Sequence, residues 1–180
     1  MTTLRDIDIW NVIIDGMTNL STVNTPERHA INNGNLFQID YTTDLGDSES
    51  GDVLVITPNS TSWCHLTYDL QTEAEAHFYI YENPTTTDNG TLISAFNKDR
   101  NSSTTDTTFF YDTPTGVVST DLSAISDTYT CACTRIDQNN FGEWILKQNE
   151  EYLFRVTNAT TDSNHVSLRF IWTEHANLAD

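Results

Sequence analysis

The sequence predicts an all-β fold, an antiparallel β-sandwich that is jelly-roll-like and carries an N-terminal extension. Two observations favour this class. Apolar and polar residues alternate over short segments along most of the chain, which is typical of antiparallel strands with one buried face. Clusters rich in Pro, Gly, Asn and Asp separate these segments, as expected for turns. Helical periodicity is confined to the first residues, which excludes parallel α/β folds.

The alternation predicts roughly nine or ten short strands, a number typical of sandwiches and jelly rolls. The residues that share one side of each predicted strand are Phe37, Ile39 and Tyr41; Cys64, Leu66, Tyr68 and Leu70; Phe78 and Ile80; Thr107, Phe109 and Tyr111; Tyr129, Cys131 and Cys133; Tyr152, Phe154 and Val156; and Val166, Leu168, Phe170 and Trp172. The predicted turns lie at residues 58–60, 84–90, 101–104, 113–116, 137–140 and 158–164.

The charge balance and the length of the apolar runs each exclude one class of partner. The chain of 180 residues has 8 basic and 26 acidic residues, a net charge of −18. Nucleic acid is excluded as an electrostatic partner, because phosphate is bound by clusters of Lys and Arg. The apolar runs, such as residues 53–56, are far shorter than a membrane-spanning helix, so no membrane association is expected. The first residues lack a basic region followed by an apolar one, which predicts assembly in a cytoplasm.

Two regions are predicted. Residues 1–28 form an N-terminal arm or extension, and residues 29–180 form a single β-sandwich domain. Apolar residues near the start of the chain fit either helical or strand spacing. Residues 1–28 therefore have two interpretations: an edge strand or short helix that packs on the domain itself, or an arm that binds a neighbouring subunit.

The cysteine, histidine and serine residues form no recognisable catalytic or metal-binding motif. The three cysteines, Cys64, Cys131 and Cys133, are an odd number, which argues against a disulfide framework and favours buried, reduced thiols. The five histidines are scattered, and neither a HExxH nor a GxSxG motif is present. We therefore expect no enzymatic activity, no catalytic residues, no metal and no cofactor.

The acidic segment 44–52 has two interpretations, a calcium loop or a solvent-exposed hairpin tip. It departs from the EF-hand pattern, which needs a glycine at its sixth position and a bidentate Glu at its twelfth. The sequence therefore favours the hairpin tip.

Several short segments resemble small virion proteins of tailed bacteriophages. Residues 77–92 read His-Phe-Tyr-Ile-Tyr-Glu-Asn-Pro-Thr-Thr-Thr-Asp-Asn-Gly-Thr-Leu, and residues 95–102 read Ala-Phe-Asn-Lys-Asp-Arg-Asn-Ser. Segments 142–147, 151–158 and 170–175 are similar to the same proteins, as are two upstream segments, 29–37 and 54–65. The resemblance spans residues 29–175, while residues 117–140 match none of the family's segments.

The resemblance implies a capsid decoration protein that stabilises the phage head. Proteins of this kind are jelly-roll-like and homotrimeric, bind the major capsid protein on the outer face of the capsid, and reinforce contacts between its subunits. The expected location is the virion, after assembly in the host cytoplasm. Three linked copies of one weak contact would raise the apparent affinity for the shell.

The candidate interface residues follow from charge and side-chain chemistry. Residues 97–101 hold two of the eight cations, and an Arg on a loop favours bidentate contact with a partner carboxylate. The alternative is that Arg100 pairs with Asp99 or Asp106 of its own chain. The complete set of candidates for the capsid or subunit interface is Asn97, Lys98, Arg100, Asn101, Trp10 and Arg5.

A second function remains open, namely a receptor- or carbohydrate-binding module of a phage fibre or spike. Such a site needs an exposed aromatic ring beside polar loops, and Tyr79, Tyr81 or Trp10 could provide it. Against this function, the chain has no coiled-coil heptads or repeats of the kind that form a fibre shaft.

Overall fold

The computed structural model describes residues 12–14, 21–23, 26–59, 62–118, 124–130, 135–137 and 143–176. These residues form a helix, α1 (Pro26–Asn32), and fourteen strands. The strands are β1 (Val12–Ile14), β2 (Ser21–Val23), β3 (Leu36–Leu45), β4 (Ser50–Ile56), β5 (Ser62–Thr72), β6 (Ala76–Glu82), β7 (Thr91–Ile93), β8 (Phe96–Asn97), β9 (Phe109–Asp112), β10 (Ala124–Thr130), β11 (Arg135–Asp137), β12 (Trp144–Leu146), β13 (Glu151–Asn158) and β14 (Asn164–Ala176).

Two antiparallel sheets enclose the core, so the predicted fold class is confirmed. Sheet 1 has the strand order β11-β5-β14-β3-β8, and β12 also pairs with β5. Sheet 2 has the order β10-β6-β13-β4-β9-β7. A separate two-stranded sheet consists of β1 and β2.

The strand pairing is that of a jelly roll. Strand β3 pairs with β14, β4 with β13, β5 with β11, and β6 with β10. These pairs are nested, so the chain follows the path of one long hairpin rolled up into two sheets. Successive strands from β3 to β6 alternate between the sheets, which places the residues of each strand's inner face in one shared core.

The core confirms most of the predicted strand faces. The predicted inner residues of β3, β5, β6, β13 and β14 are all buried. At its centre, Phe110 packs against Trp172 and Phe170, with ring centroids 4.5 and 5.2 Å apart. In β9 the side that faces the core is the one the alternation did not single out. Phe109 and Tyr111 share one side as predicted, but it is the outer side, and Phe110 points inward.

The segment between β6 and β10 departs from a simple jelly roll. Residues 83–118 cross from the edge of sheet 2 formed by β6 and β10 to the opposite edges of the two sheets. There β8 pairs with β3 and β9 pairs with β4. This insertion covers sheet edges that β3 and β4 would otherwise expose, and open edges invite uncontrolled pairing. Four of the six predicted interface residues lie in it.

The structure describes only part of the predicted N-terminal region. Arg5 and Trp10 lie outside the described residues. The predicted boundary between residues 28 and 29 falls inside α1, so the division into two regions stays a prediction. In the described part of the chain, no helix is both long enough and apolar enough to span a bilayer.

Two smaller predictions can be compared with the structure. The acidic segment contains the turn between β3 and β4, where the Gly46 amide donates to the Glu49 carboxylate at 2.8 Å. Cys64 is a buried free thiol as expected, and burial raises its pKa well above the usual range. Cys131 and Cys133 lie outside the described residues.

Tyr41 gives the fold a predicted pH dependence. Burial, together with the negative charges of Asp112, Asp52 and Glu49, raises the pKa of Tyr41 to about 12. In the unfolded chain its pKa is about 10, so the contribution of Tyr41 to stability is complete below that pH and is lost as the pH rises towards 12. We expect the urea concentration at half unfolding to decrease as the pH rises from about 10 to about 12. The decrease should be smaller in Tyr41→Phe, which lacks this hydroxyl, than in Tyr79→Phe, which keeps it. An equal fall in the two variants would contradict the prediction.

Candidate functional site

The predicted interface loop lies at the free edge of sheet 1. In β8, Asn97 pairs with the core residue Phe37 and Phe96 pairs with Gln38. Because neighbouring residues of a strand point to opposite faces, Asn97 turns towards the domain and Phe96 turns outward. Phe96 is 55% exposed, an unusually large exposure for an aromatic side chain. We call Phe96, Lys98, Arg100 and Asn101 the Phe96 patch.

Arg100 lies above the ring of Phe96, with its guanidinium carbon 5.9 Å from the ring centroid. This distance is within the range of a cation–π contact. Within the described residues, the arginine ion pairs are formed by Arg155 and Arg169, not by Arg100. The alternative pairing of Arg100 with Asp99 or Asp106 is therefore not seen, and Arg100 is exposed.

Asn97 fixes the shape of the loop. Its side-chain amide donates to the carbonyl oxygens of Gly34 at 2.8 Å and Thr104 at 3.2 Å, while its oxygen accepts from the Asp99 amide at 2.9 Å. The Asp99 carboxylate in turn accepts from the amide of Asn101 at 3.0 Å. Asn97 is thus a structural residue whose hydrogen bonds are internal, and the exposed members of the patch are Phe96, Arg100 and Asn101.

The loop also packs closely on Gly34, which follows α1. Gly34 has a φ of +67°, and a Cβ there would lie 2.2 Å from Oγ of Ser102 and 2.7 Å from its Cβ. Only glycine accommodates both the left-handed backbone and this close approach without strain.

Glu174 holds the end of the loop between β8 and β9. Its carboxylate accepts hydrogen bonds from the amides of Thr107 and Thr108, at distances down to 2.7 Å, and from the Thr107 hydroxyl at 2.6 Å. Trp172, in the core, donates its indole N–H to the same carboxylate at 3.1 Å. One acidic side chain of β14 therefore ties the loop after β8 to the centre of the sandwich.

The patch adjoins an ion pair on the outer face of sheet 1. Nε of Arg169 donates to the Asp40 carboxylate at 2.6 Å. Partial burial raises the pKa of Asp40, but hydrogen bonds from Arg169 and Gln38 and the positive charges of Arg169 and Lys98 outweigh it, so the pKa is lowered. Asp40 therefore stays ionised at neutral pH.

The structure brings together two histidines that are distant in sequence. The rings of His65 and His175 have centroids 4.3 Å apart, and Nδ1 of His65 is 3.1 Å from the Glu143 carboxylate. Among the described residues, no group of three or more His, Cys, Asp or Glu side chains is arranged to hold a metal ion.

Of the three aromatic residues of the carbohydrate alternative, Tyr79 and Tyr81 lie on the outer face of sheet 2, and Trp10 lies outside the described residues. Tyr79 stacks between His77 and Tyr81, with centroid distances of 5.9 and 5.8 Å. An open depression of about 490 Å³ lies elsewhere on the domain, at the loops after β6 and β12. The described residues that line it are polar or proline, and none is aromatic: Asn83, Pro84, Thr85, Thr86, Thr87, Asn89, Asn149, Glu150 and Glu151.

Sequence reasoning missed two residues of the candidate site. Phe96 stands beside the predicted Asn97, but the segment is too short to show an alternation that assigns Phe96 to the outer face. Glu174 is distant in sequence from the residues it binds, so no local signal could identify its role.

The comparisons with known proteins identify no family. No protein-family model matches the sequence, and no curated protein is significantly similar to it. The solved structures include a similar chain, the Yersinia pseudotuberculosis-derived mitogen, with 10% sequence identity and a TM-score of 0.37. The match covers 79% of this chain and 90% of the mitogen. A likeness this weak says nothing about activity or partners, so any function has to be argued from the site.

Proposed function

We propose that this chain is a structural virion protein that binds the outer face of a phage capsid and reinforces contacts between major-capsid subunits. The observation that carries the proposal is the Phe96 patch, an exposed aromatic ring beneath a solvent-facing arginine. Aromatic and Arg side chains are enriched among the residues that dominate binding energy at protein interfaces. The family resemblance of the sequence supplies the identity of the partner.

The construction of the loop supports a role in binding. The hydrogen bonds of Asn97, Asp99 and Glu174 hold the loop in shape, so little conformational entropy is lost when a partner binds. The charge of the molecule adds specificity. In a chain of net charge −18, Lys98 and Arg100 are two of only eight basic residues, and the exposed Arg100 suits a carboxylate on the partner.

The first test measures binding to purified phage heads that lack the protein. We expect Phe96→Ala and Arg100→Glu each to weaken binding about 30-fold, the effect of losing a contact of about 2 kcal/mol. The matched controls are Ile145→Ala, which removes an equally exposed apolar side chain from another strand, and Lys147→Glu, which reverses a charge outside the patch. Both controls should bind the heads like the unmodified protein.

Binding that is unchanged in both patch variants, with their circular dichroism intact, would show that another surface meets the shell. Absence of head binding by the unmodified protein would remove the proposed function itself. Specific binding on a glycan array in that case would support the receptor- or carbohydrate-binding alternative.

A further inference from the structure

The chain contains two Asn-Gly pairs, Asn33-Gly34 and Asn89-Gly90. In such a pair the glycine nitrogen can attack the amide carbon of the asparagine side chain, because glycine has no Cβ to hinder the approach and its backbone rotates easily. The attack closes a five-membered ring within the pair, so no second molecule has to be brought into place. How fast the ring closes depends on how firmly the fold holds the two residues.

Asn33-Gly34 is held firmly just after α1. The Gly34 amide donates to the carbonyl oxygen of Ile31 at 2.9 Å, and Gly34 is buried in close contact with Ser102. The side-chain nitrogen of Asn33 lies 3.2 Å from Nδ1 of His29. Both the attacking nitrogen and the side chain that it would attack are therefore engaged with neighbours.

Asn89-Gly90 is held less firmly, in the loop between β6 and β7. Asn89 is exposed, and among the described residues none forms a hydrogen bond with its side chain. The Gly90 amide donates to the carboxylate of Asp88 at 2.8 Å. Asp88 is itself exposed, so water competes for this hydrogen bond. The side chain of Asn89 can therefore turn towards the Gly90 nitrogen without breaking other contacts.

From this contrast we propose that Asn89 is a site of spontaneous deamidation and that the fold protects Asn33. The Gly90 nitrogen forms a bond to the side-chain carbon of Asn89, and the bond from that carbon to Nδ2 breaks. Nδ2 leaves as ammonia, which carries away the proton that the Gly90 nitrogen loses. Water then hydrolyses either carbonyl of the cyclic imide, so that residue 89 becomes aspartate or isoaspartate.

Both products change the loop. Each adds a negative charge at the rim of the polar depression that Asn89 helps to line. In isoaspartate the main chain runs through the former side-chain carbon and is longer by a single CH₂ group. Asn89 lies between two fixed pairings, Asp88 with Thr115 and Thr91 with Asp112. The longer main chain must therefore disturb at least one of these pairings.

The test is incubation of the full chain at mildly alkaline pH and physiological temperature. Tandem mass spectrometry locates each deamidated residue over time. We expect residue 89 to gain the mass that separates an acid from an amide, with aspartate and isoaspartate forms resolved by chromatography. Asn33 should react at least about tenfold more slowly, since its reaction requires local unfolding. Amide hydrogen exchange at Thr91 and Thr115 should be faster in the isoaspartate form.

Two controls separate the effect of the fold from the effect of the sequence. In urea both Asn-Gly pairs are unfolded, and their rates should agree within about threefold. Asn89→Gln keeps the amide but would have to close a six-membered ring, so this variant should accumulate acidic forms much more slowly than the unmodified protein.

Three results would overturn the inference. The first is an Asn89 that stays intact in the folded protein over a period in which the chain in urea reacts. The second is deamidation of Asn33 as fast as that of Asn89 in the folded protein. The third is accumulation of acidic forms by Asn89→Gln at the rate of the unmodified protein, which would place the reaction at another residue.

Discussion

Asp52→Ala is expected to lower the free energy of unfolding by about 3 to 5 kcal/mol, because it leaves the Arg155 charge without its partner in a largely buried position. In a domain of this size, such a loss corresponds to a fall in melting temperature of roughly 10 °C. An arginine side chain does not lose its proton in proteins, so the guanidinium cannot escape this penalty by becoming neutral. Calorimetry and urea titration measure the effect.

The double variant Asp52→Leu/Arg155→Met tests the physical cause. Replacing both charges by apolar side chains of similar size removes the pair without leaving an isolated charge, and we expect stability within about 1 kcal/mol of the unmodified protein. A double variant as unstable as Asp52→Ala would mean that the loss comes from packing in sheet 2 and not from the unpaired arginine.

Glu174→Ala is expected to cost about 3 kcal/mol, because it leaves the donors of Thr107, Thr108 and Trp172 without their acceptor. Thr108 and Trp172 are both buried, so water cannot easily replace the carboxylate. The loss should be concentrated in the insertion. Amide hydrogen exchange of Thr107 and Thr108 should accelerate more than exchange in β5 or β13.

Glu143→Ala is the matched control, since its exposed carboxylate contacts His65 and should contribute less than about 1 kcal/mol. Glu174→Gln keeps one acceptor oxygen and should lie between the two alanine variants. If Glu174→Ala leaves exchange at Thr107 and Thr108 unchanged, Glu174 does not hold the insertion in place.

The sandwich itself could be predicted from the sequence, because the alternation of buried and exposed residues is a local property. Ile39, Leu66 and Phe154 all occupy the inner positions assigned from that period. In β9 the pattern leaves the buried side open, because Phe109, Phe110 and Tyr111 are consecutive aromatic residues and both sides of the strand are apolar.

The candidate site could be predicted only in part, because exposure and pairing are tertiary properties. The basic residues predict the loop that contains Arg100, but the contact of Arg100 with Phe96 depends on how β8 pairs with β3.

The nested pairing of the jelly roll also governs how the chain can fold. Strand β14 is the last of the described strands, yet it occupies the middle of sheet 1 between β5 and β3. Sheet 1 therefore cannot be completed during translation until β14 has left the ribosome, and until then β3 and β5 each have one edge without its partner strand. Such non-local pairing is slow and leaves the nascent chain prone to aggregation. Its yield in cells should therefore depend on chaperones and growth temperature more than its final stability suggests.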